Sequence, residues 1–335
     1  MSVVKMMKMR QDLTVQLEAA TSPGEWEDCC ATFPYATAFH RYDFLQSIAP
    51  LLRCRFVPMM VLREGRPVGV VPLLVKRLGP FCTINWTPFP YIGPLVPAEL
   101  IPATLSSLRL EGERLRALDH RQSFYHMGLD WPADDSIFRA NGFTYSTDRT
   151  FVVPVSGRSD QDLLAAMDRN ARRQIRDGFR FGIEVLPAQP EDFELMDTWS
   201  RQMYAAQGIR PPYQTGTYRH IFNSLHNAKG TVFRAARLDG QTVAVHIAFS
   251  FARRVFDWKV AVDPRHRAHY PQAALIWQGL LWARDCGALE FDMVGAPREG
   301  IAAYKRKFGA VERCYTVLRR PTGVPRLALS IMSRA

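Results

Sequence analysis

No stretch of the 335 residues approaches the roughly 18 uninterrupted apolar residues of a membrane-spanning helix. Cysteine is sparse: Cys29, Cys30, Cys54, Cys82, Cys286 and Cys314 are scattered, and none forms a CxxC or Cys/His pair with zinc-site spacing. They read as reduced thiols. GxSxG, HExxH, GxxxxGK[ST] and GxGxxG are all missing, which removes most support for a serine hydrolase, zinc protease, P-loop NTPase or Rossmann dehydrogenase. Met1 to Gln11 carries Lys5, Lys8 and Arg10 but neither an apolar core nor a small-residue cleavage site. No secretory leader is therefore expected, and the expected location is cytoplasmic.

What the chain does have is an ordinary globular balance, 47% hydrophobic and 22% charged, with an excess of positive charge. Lys and Arg number 43 against 32 Asp and Glu, a formal charge of +11, which points to an anionic partner: nucleic acid, a phosphorylated substrate or a membrane surface. At roughly 100 to 200 residues per domain the length predicts two domains.

Patterning predicts an α/β chain. Residues Leu13 to Leu52 look helical with polar breaks, and Thr21-Ser22-Pro23-Gly24-Glu25 is a helix-start signal. Strands are expected at Phe56 to Leu62 and Pro67 to Val75 around a Gly65 turn, then a long loop with short strand pieces from Pro80 to Pro97. A helix at Leu105 to Leu118, a strand at Phe124 to Leu129, a short helix at Ser136 to Ala140 and a strand at Thr144 to Val155 follow. Further on come a strand at Arg254 to Val262, a helix at Pro271 to Cys286, a strand at Leu289 to Val294, a helix at Ile301 to Phe308 and a closing strand at Cys314 to Leu318. Arg237-Leu238-Asp239-Gly240-Gln241-Thr242-Val243-Ala244-Val245 aligns with Leu62-Arg63-Glu64-Gly65-Arg66-Pro67-Val68-Gly69-Val70, an acid-Gly turn before a Val-rich strand in each case. The repeat implies two copies of one α/β unit, split near residue 155.

Much of the charge sits in two runs. Asp168 to Arg180 holds five Arg against two Asp, and Gly300 to Arg320 six Lys or Arg against one Glu. In the first run Leu164, Met167, Ala171 and Ile175 make one apolar stripe of a helix expected over Leu163 to Arg180. Arg169, Arg172, Arg173, Arg176 and Arg180 make the opposite face, either a solvated surface or a phosphate-binding one suited to bidentate guanidinium contact. In the second run Ile301, Tyr304, Lys305 and Phe308 share a helix face, which sets the Lys305 cation on the side expected to be buried. A buried Lys must be paired, here with Asp292, or stabilise an oxyanion or phosphate. Asp292 closes the strand Leu289 to Gly295, where it either lines a ligand crevice or caps its own loop. His246 lies on the small polar face Ala244, His246, Ala248, Ser250 of a strand, as a cleft residue or a satisfied core histidine.

The order of these segments resembles a known family. It runs from Asn170-Ala171-Arg172-Arg173-Gln174-Ile175-Arg176 through Gly182-Ile183-Glu184-Val185, the Asp239-Gly240 turn and the Pro271 to Gly287 helix. It continues to Phe291-Asp292-Met293-Val294-Gly295 and Gly300-Ile301-Ala302-Ala303-Tyr304-Lys305-Arg306-Lys307-Phe308-Gly309. This pattern is similar to the FemAB-like branch of the GNAT acyltransferase superfamily, over about residues 35 to 318. Its most specific part is Tyr-Lys-x-x-Phe-Gly after the Phe-Asp strand. The resemblance implies an α/β fold of two tandem GNAT-like domains, each a mixed twisted sheet flanked by helices: residues 10–155, a catalytic 156–320, and a tail at 321–335.

It further implies N-acyl transfer by direct attack of an amine on an ester or thioester, which needs orientation and an oxyanion stabiliser more than a strong base. The expected donor is aminoacyl-tRNA and the expected acceptor an amine of a cell-wall precursor or small metabolite, with no cofactor. The alternatives are an acyl-CoA or acyl-carrier-protein thioester as donor, and a non-catalytic RNA- or membrane-binding protein. Lys305, Asp292, His246 and Tyr304 are the expected catalytic group; Arg172, Arg173, Arg176, Arg265, Arg267 and Lys307 are expected to hold donor phosphate. Acetyl-CoA-using members wrap pyrophosphate in a Gly-rich loop, whereas the matching stretch Arg265 to Ala273 has no glycine, which favours tRNA or a carrier thioester. The tail's apolar Leu327 to Met332 suggests peripheral membrane contact or a docked helix.

Overall fold

The computed structural model describes residues 14–125 and 136–321. Its elements, in chain order, are β1 Gln16–Ala19, α1 Pro23–Ala31, α2 Tyr42–Leu51, β2 Arg55–Arg63, β3 Arg66–Leu78, β4 Phe81–Ile84, α3 Ile101–Arg114, β5 Ala117–Phe124, α4 Ser136–Ala140 and β6 Thr144–Pro154. They continue with α5 Asp160–Ala166, α6 Arg169–Arg180, β7 Glu184–Pro187, α7 Asp192–Ala206, α8 Thr217–Leu225, β8 Thr231–Leu238, β9 Gln241–Phe251, β10 Arg254–Val262, α9 Pro271–Asp285, β11 Glu290–Gly295, α10 Glu299–Arg306 and β12 Val311–Pro321.

The chain forms two compact units, residues 1–147 with 315–335, and residues 148–314. The division expected near 155 therefore falls inside β6, and the closing strand, expected to belong wholly to the second unit, begins there and ends in the first. In the first unit β1, β2, β3 and β4 pair antiparallel in turn, β4 pairs parallel with β5, and β5 antiparallel with β12. In the second, β7, β8, β9 and β10 pair antiparallel in turn, β10 pairs parallel with β11, and β11 antiparallel with β6. Both units thus read β-α-α-β-β-β-α-β with the parallel pair in the same place.

The nine-residue repeat is the local form of this duplication. Glu64 and Gly65 (φ 53° and 72°) and Asp239 and Gly240 (φ 50° and 76°) put two consecutive residues at positive φ, the geometry that a two-residue hairpin joining right-twisted strands requires. Both hairpins also carry a register shift at the same offset, between Val61 and Leu62 and between Ala236 and Arg237.

The first unit's core gathers Val61, Val71, Leu73, Ile84, Leu105, Leu108 and Phe138; the second's gathers Phe151, Val153, Ile276, Leu280, Phe291 and Phe308. All six cysteines are free thiols. Among the described residues no helix is long and apolar enough to cross a membrane. The tail with Leu327 to Met332 lies outside the described residues, as do most of the strand expected at Phe124 to Leu129 and its end at Leu129.

Three expectations change. The Leu13 to Leu52 region contains a strand, β1, before its helices, and the Leu105 to Leu118 helix ends at Arg114 with β5 already under way at Leu118. The Leu163 to Arg180 helix is two: Met167 takes an extended conformation (ψ 154°) and Asp168 caps α6, accepting from Ala171 N at 2.6 Å. An N-terminal cap offers the backbone N–H groups a side-chain acceptor and so favours a fresh start over continuation.

Candidate active site

The second unit's parallel pair is short. β10 and β11 are in register only from Arg254/Glu290 to Phe256/Asp292. β10 then runs on beside β9 to Val262, while β11 turns to meet β6 at Gly295/Thr150. The separation opens a crevice at the carboxyl ends of two parallel strands, where open α/β sheets place ligands.

Asp292 and Lys305 build the corner at which β11 departs. Val294, a β-branched residue, is held at φ 54°, a left-handed conformation that costs it of order 1–3 kcal/mol. Asp292 is fully buried and its Oδ1 accepts from Val294 N and from Thr150 Oγ1, each at 2.6 Å. Lys305 Nζ donates to the carbonyls of Met293, Val294 (2.9 Å) and Gly295 (2.8 Å). All three ammonium protons face this turn, so the expected Lys305–Asp292 ion pair is replaced by a clamp in which Asp292 holds the turn's N–H and Lys305 its carbonyls. Burial pushes the Lys305 amine down to about 8, against the fields of Asp257 and Asp292, which hold it up.

His246 is fully buried and its Nε2–H donates to Asp257 Oδ1 at 2.7 Å, leaving Nδ1 buried without a partner among the described residues. Register explains the meeting: Asp257 is paired with Ala248, which shares its sheet face with His246. α9 covers that face, and a Cβ at its Gly279 would lie 3.0 Å from the Phe291 ring and 3.5 Å from His246 Cε1. Tyr304, on α10, carries a phenol raised well above the ordinary tyrosine range, first by burial and then by the Asp257 carboxylate, so it remains protonated. Asp257 is the site residue that pattern reading missed. An acid between Phe256 and Trp258 in an apolar strand was the available signal.

Beside these groups lies a cavity of about 460 Å³, lined by Gln174 of α6, Trp199, Ser200 and Met203 of α7, Val260 to Val262 of β10, Arg267, Tyr270, the first turn of α9 and Tyr304. Tyr304 is thus the member of the expected catalytic group that reaches the cavity wall. Arg267 lines it too and makes no ion pair among the described residues. Arg265 instead grips Asp263, with Nε at 3.1 Å and Nη2 at 2.7 Å, and lines two neighbouring grooves. Lys307 is half-buried; its carbonyl accepts from Asp168 N at 2.9 Å.

The arginines of α6 are exposed. Arg172 donates to Met167 O at 2.7 Å, closing the end of α5, and Arg173 to Asn170 Oδ1 at 2.9 Å. Arg176 and Arg180 lie only loosely by Asp177, at 3.6 and 3.7 Å. Aromatic rings sit among them: Arg173 lies 5.9 Å from the Tyr270 ring, Arg180 5.8 Å from Phe181, and Phe181 packs against His269.

The signature Tyr-Lys-x-x-Phe-Gly now has a physical reading. Tyr304 reaches the cavity, Lys305 the β11 turn, and Phe308 the core. Gly309 stands at φ 75°, where a Cβ would come within 2.8 Å of Ala166 O.

Residues 165–306 match the family profile described as "Acetyltransferase (GNAT) domain". Among solved structures, FemX superposes with a TM-score of 0.72 at 14% identity, covering 90% of this chain and 96% of FemX. L-PGS from Bacillus licheniformis matches with a TM-score of 0.57 at 11% identity (93% and 96% covered). A tandem GNAT protein from the clavulanic acid biosynthesis pathway, determined without AcCoA, matches at 0.56 and 14% identity (93% and 99%). A comparison with curated proteins finds no match. The fold is accordingly that of tandem GNAT proteins.

Proposed function

We propose that the chain, whose residues 165–306 match the GNAT acetyltransferase-domain profile and whose fold is that of tandem GNAT proteins, is an N-acyltransferase that moves an aminoacyl group from aminoacyl-tRNA to an amine of a cell-wall precursor or small metabolite. The observation that carries the chemistry is the splayed β10–β11 crevice with Tyr304 and the Asp257–His246 pair at its edge. The acceptor nitrogen attacks the ester carbonyl; the new N–C bond forms as the C–O bond to the ribose breaks. Asp257, oriented by His246, takes the proton that the amine loses, and the Tyr304 hydroxyl donates to the departing oxygen. Lys305 and Asp292 act as positioning residues that fix the corner of the crevice.

The donor assignment rests on α6. Its exposed guanidiniums with Phe181 and Tyr270 among them combine charge for phosphates with rings for unpaired bases. Arg267 and the start of α9 would take a phosphate nearer the cavity. The competing donor is an acyl-CoA or acyl-carrier thioester, which the likeness to a tandem GNAT protein favours.

Incubating the protein with charged tRNA, amines and either RNase or buffer separates the two. Transfer abolished by RNase supports the tRNA donor, and RNase-resistant transfer from a thioester replaces it.

A further inference from the structure

The register shift in β10 sends Asp257 and Lys259 to opposite faces of the sheet. Asp257 pairs with Ala248 and Lys259 with the next residue back, Ile247, so Lys259 faces α7 and α8 rather than α9. There its ammonium donates to Tyr204 Oη at 3.3 Å and lies 4.9 Å from the Tyr204 ring and 6.0 Å from the Tyr218 ring. Tyr213 packs against Tyr218 with ring centroids 5.7 Å apart. Among the described residues no carboxylate pairs with this ammonium, and burial alone pushes the amine down to about 8. Lys305 differs: three carbonyls receive its protons, and two carboxylates hold its charge.

Lys259 is only partly buried, so solvent and the two aromatic faces, worth about 0.5–2 kcal/mol, moderate the cost of its charge. A partly exposed ammonium with no carboxylate beside it among the described residues is open to an anion from outside the chain. The niche begins three residues past Phe256, the last residue of β10 in register with β11, so it borders the same opening in the sheet as the Asp257–His246 pair. It is built from donors, an ammonium and phenols, and its free capacity is for an anion.

We infer that the niche formed by Lys259, Tyr204 and Tyr218 seats a carboxylate of the acceptor, whose amine then faces Asp257 through the opening. This rests on the acyltransferase reading above and deepens it: the acceptor is an amino-acid-like molecule with a carboxylate a short carbon chain from its amine.

The test has a binding arm and a kinetic arm. In the intact protein with ¹³C-dimethylated lysines, the Lys259 resonance is assigned with Lys259→Arg and titrated with L-glutamate, L-alanine, L-alaninamide and inorganic phosphate. A carboxylate-bearing probe is expected to raise the Lys259 titration point by about one pH unit, and alaninamide to leave it in place. An equal response to the amide, a response to phosphate alone, or no response to any carboxylate overturns the inference. In turnover, Lys259→Met is expected to raise acceptor KM about tenfold, equivalent to about 1.4 kcal/mol, with kcat little changed. It should also erase discrimination between acid and amide acceptors. Transfer that proceeds with an unchanged KM in Lys259→Met overturns the niche while leaving the acyltransferase reading intact; absence of any transfer, with the carboxylate shift observed, overturns that reading while leaving the niche.

Discussion

At the scale of single residues, the second unit keeps its buried charges for distinct tasks. Lys305 spends its hydrogen bonds on the carbonyls of the β11 turn and Asp292 accepts from Val294 N and Thr150 Oγ1, whereas Asp257 accepts from His246 and Tyr304 lines the cavity. Lys305→Met should therefore cost stability, roughly 2–4 kcal/mol by leaving buried carbonyls unmatched, read as a lower urea midpoint. Tyr304→Phe and Asp257→Asn should lower kcat by roughly 10²–10³ at an unchanged midpoint. A pH dependence belongs to the first unit. His40 accepts at Nδ1 from Thr37 N and Oγ1, and donates from Nε2 to Gly93 O; burial pushes its imidazole down to about 4. The unfolded chain then binds a proton that the fold refuses, so stability holds above about pH 6.5 and falls as pH drops toward 4. Denaturant titrations at pH 7 and 4.5 should show the loss, and His40→Gln should remove its share, leaving that of His120, whose imidazole burial pushes down to about 3. The two Asp292 readings are both open in the sequence because an acid at a strand end does either job; the bond from Val294 N is the contact that the capping reading describes.

At the scale of elements, what the sequence made legible followed hydrophobic period and turn chemistry. Both acid-Gly hairpins, β10 and α9 stand close to where patterning puts them. The break at Met167 is invisible to period, since Leu164, Met167, Ala171 and Ile175 keep helical spacing across it. α7 and α8 received no assignment; α7 buries Asp192, Asp197 and Ser200 among Phe193, Met196 and Trp199, which interrupts the apolar stripe. Asp257 escaped for a related reason, because the register shift beside it breaks the alternation by which a strand's faces are read. The Gly309 of the family signature is a steric requirement at the start of the return to β12. Gly309→Ala should destabilise by roughly 1–3 kcal/mol, measured as a lower thermal midpoint.

At the scale of the whole molecule, the +11 charge separates into spent and unspent parts. Much of the carboxy-terminal run is matched: Arg306 by Glu299 and Glu312, Arg313 by Glu290, Arg319 by Asp119 and Arg320 by Glu113. Arg319 and Arg320 moreover belong to the first unit. The exposed arginines of α6 are matched less closely, Arg176 and Arg180 lying 3.6 and 3.7 Å from Asp177. Replacing Arg173 and Arg176 by Glu should weaken tRNA binding about tenfold or more and flatten its dependence on log salt, with no change in thermal midpoint. Filter binding across a salt series would measure it.

The proposed reaction is direct acyl transfer at the β10–β11 crevice. Single-turnover mixing of the protein with tRNA charged with a ¹⁴C-amino acid and a pool of amino-acid-like amines, followed by mass spectrometry of the labelled product, tests it most directly. The expected product is a new amide carrying the label, formed without a labelled protein intermediate and slowed at least about a hundredfold in Tyr304→Phe. A label that stays on tRNA or on the protein, or a Tyr304→Phe variant as fast as the parent, would contradict it.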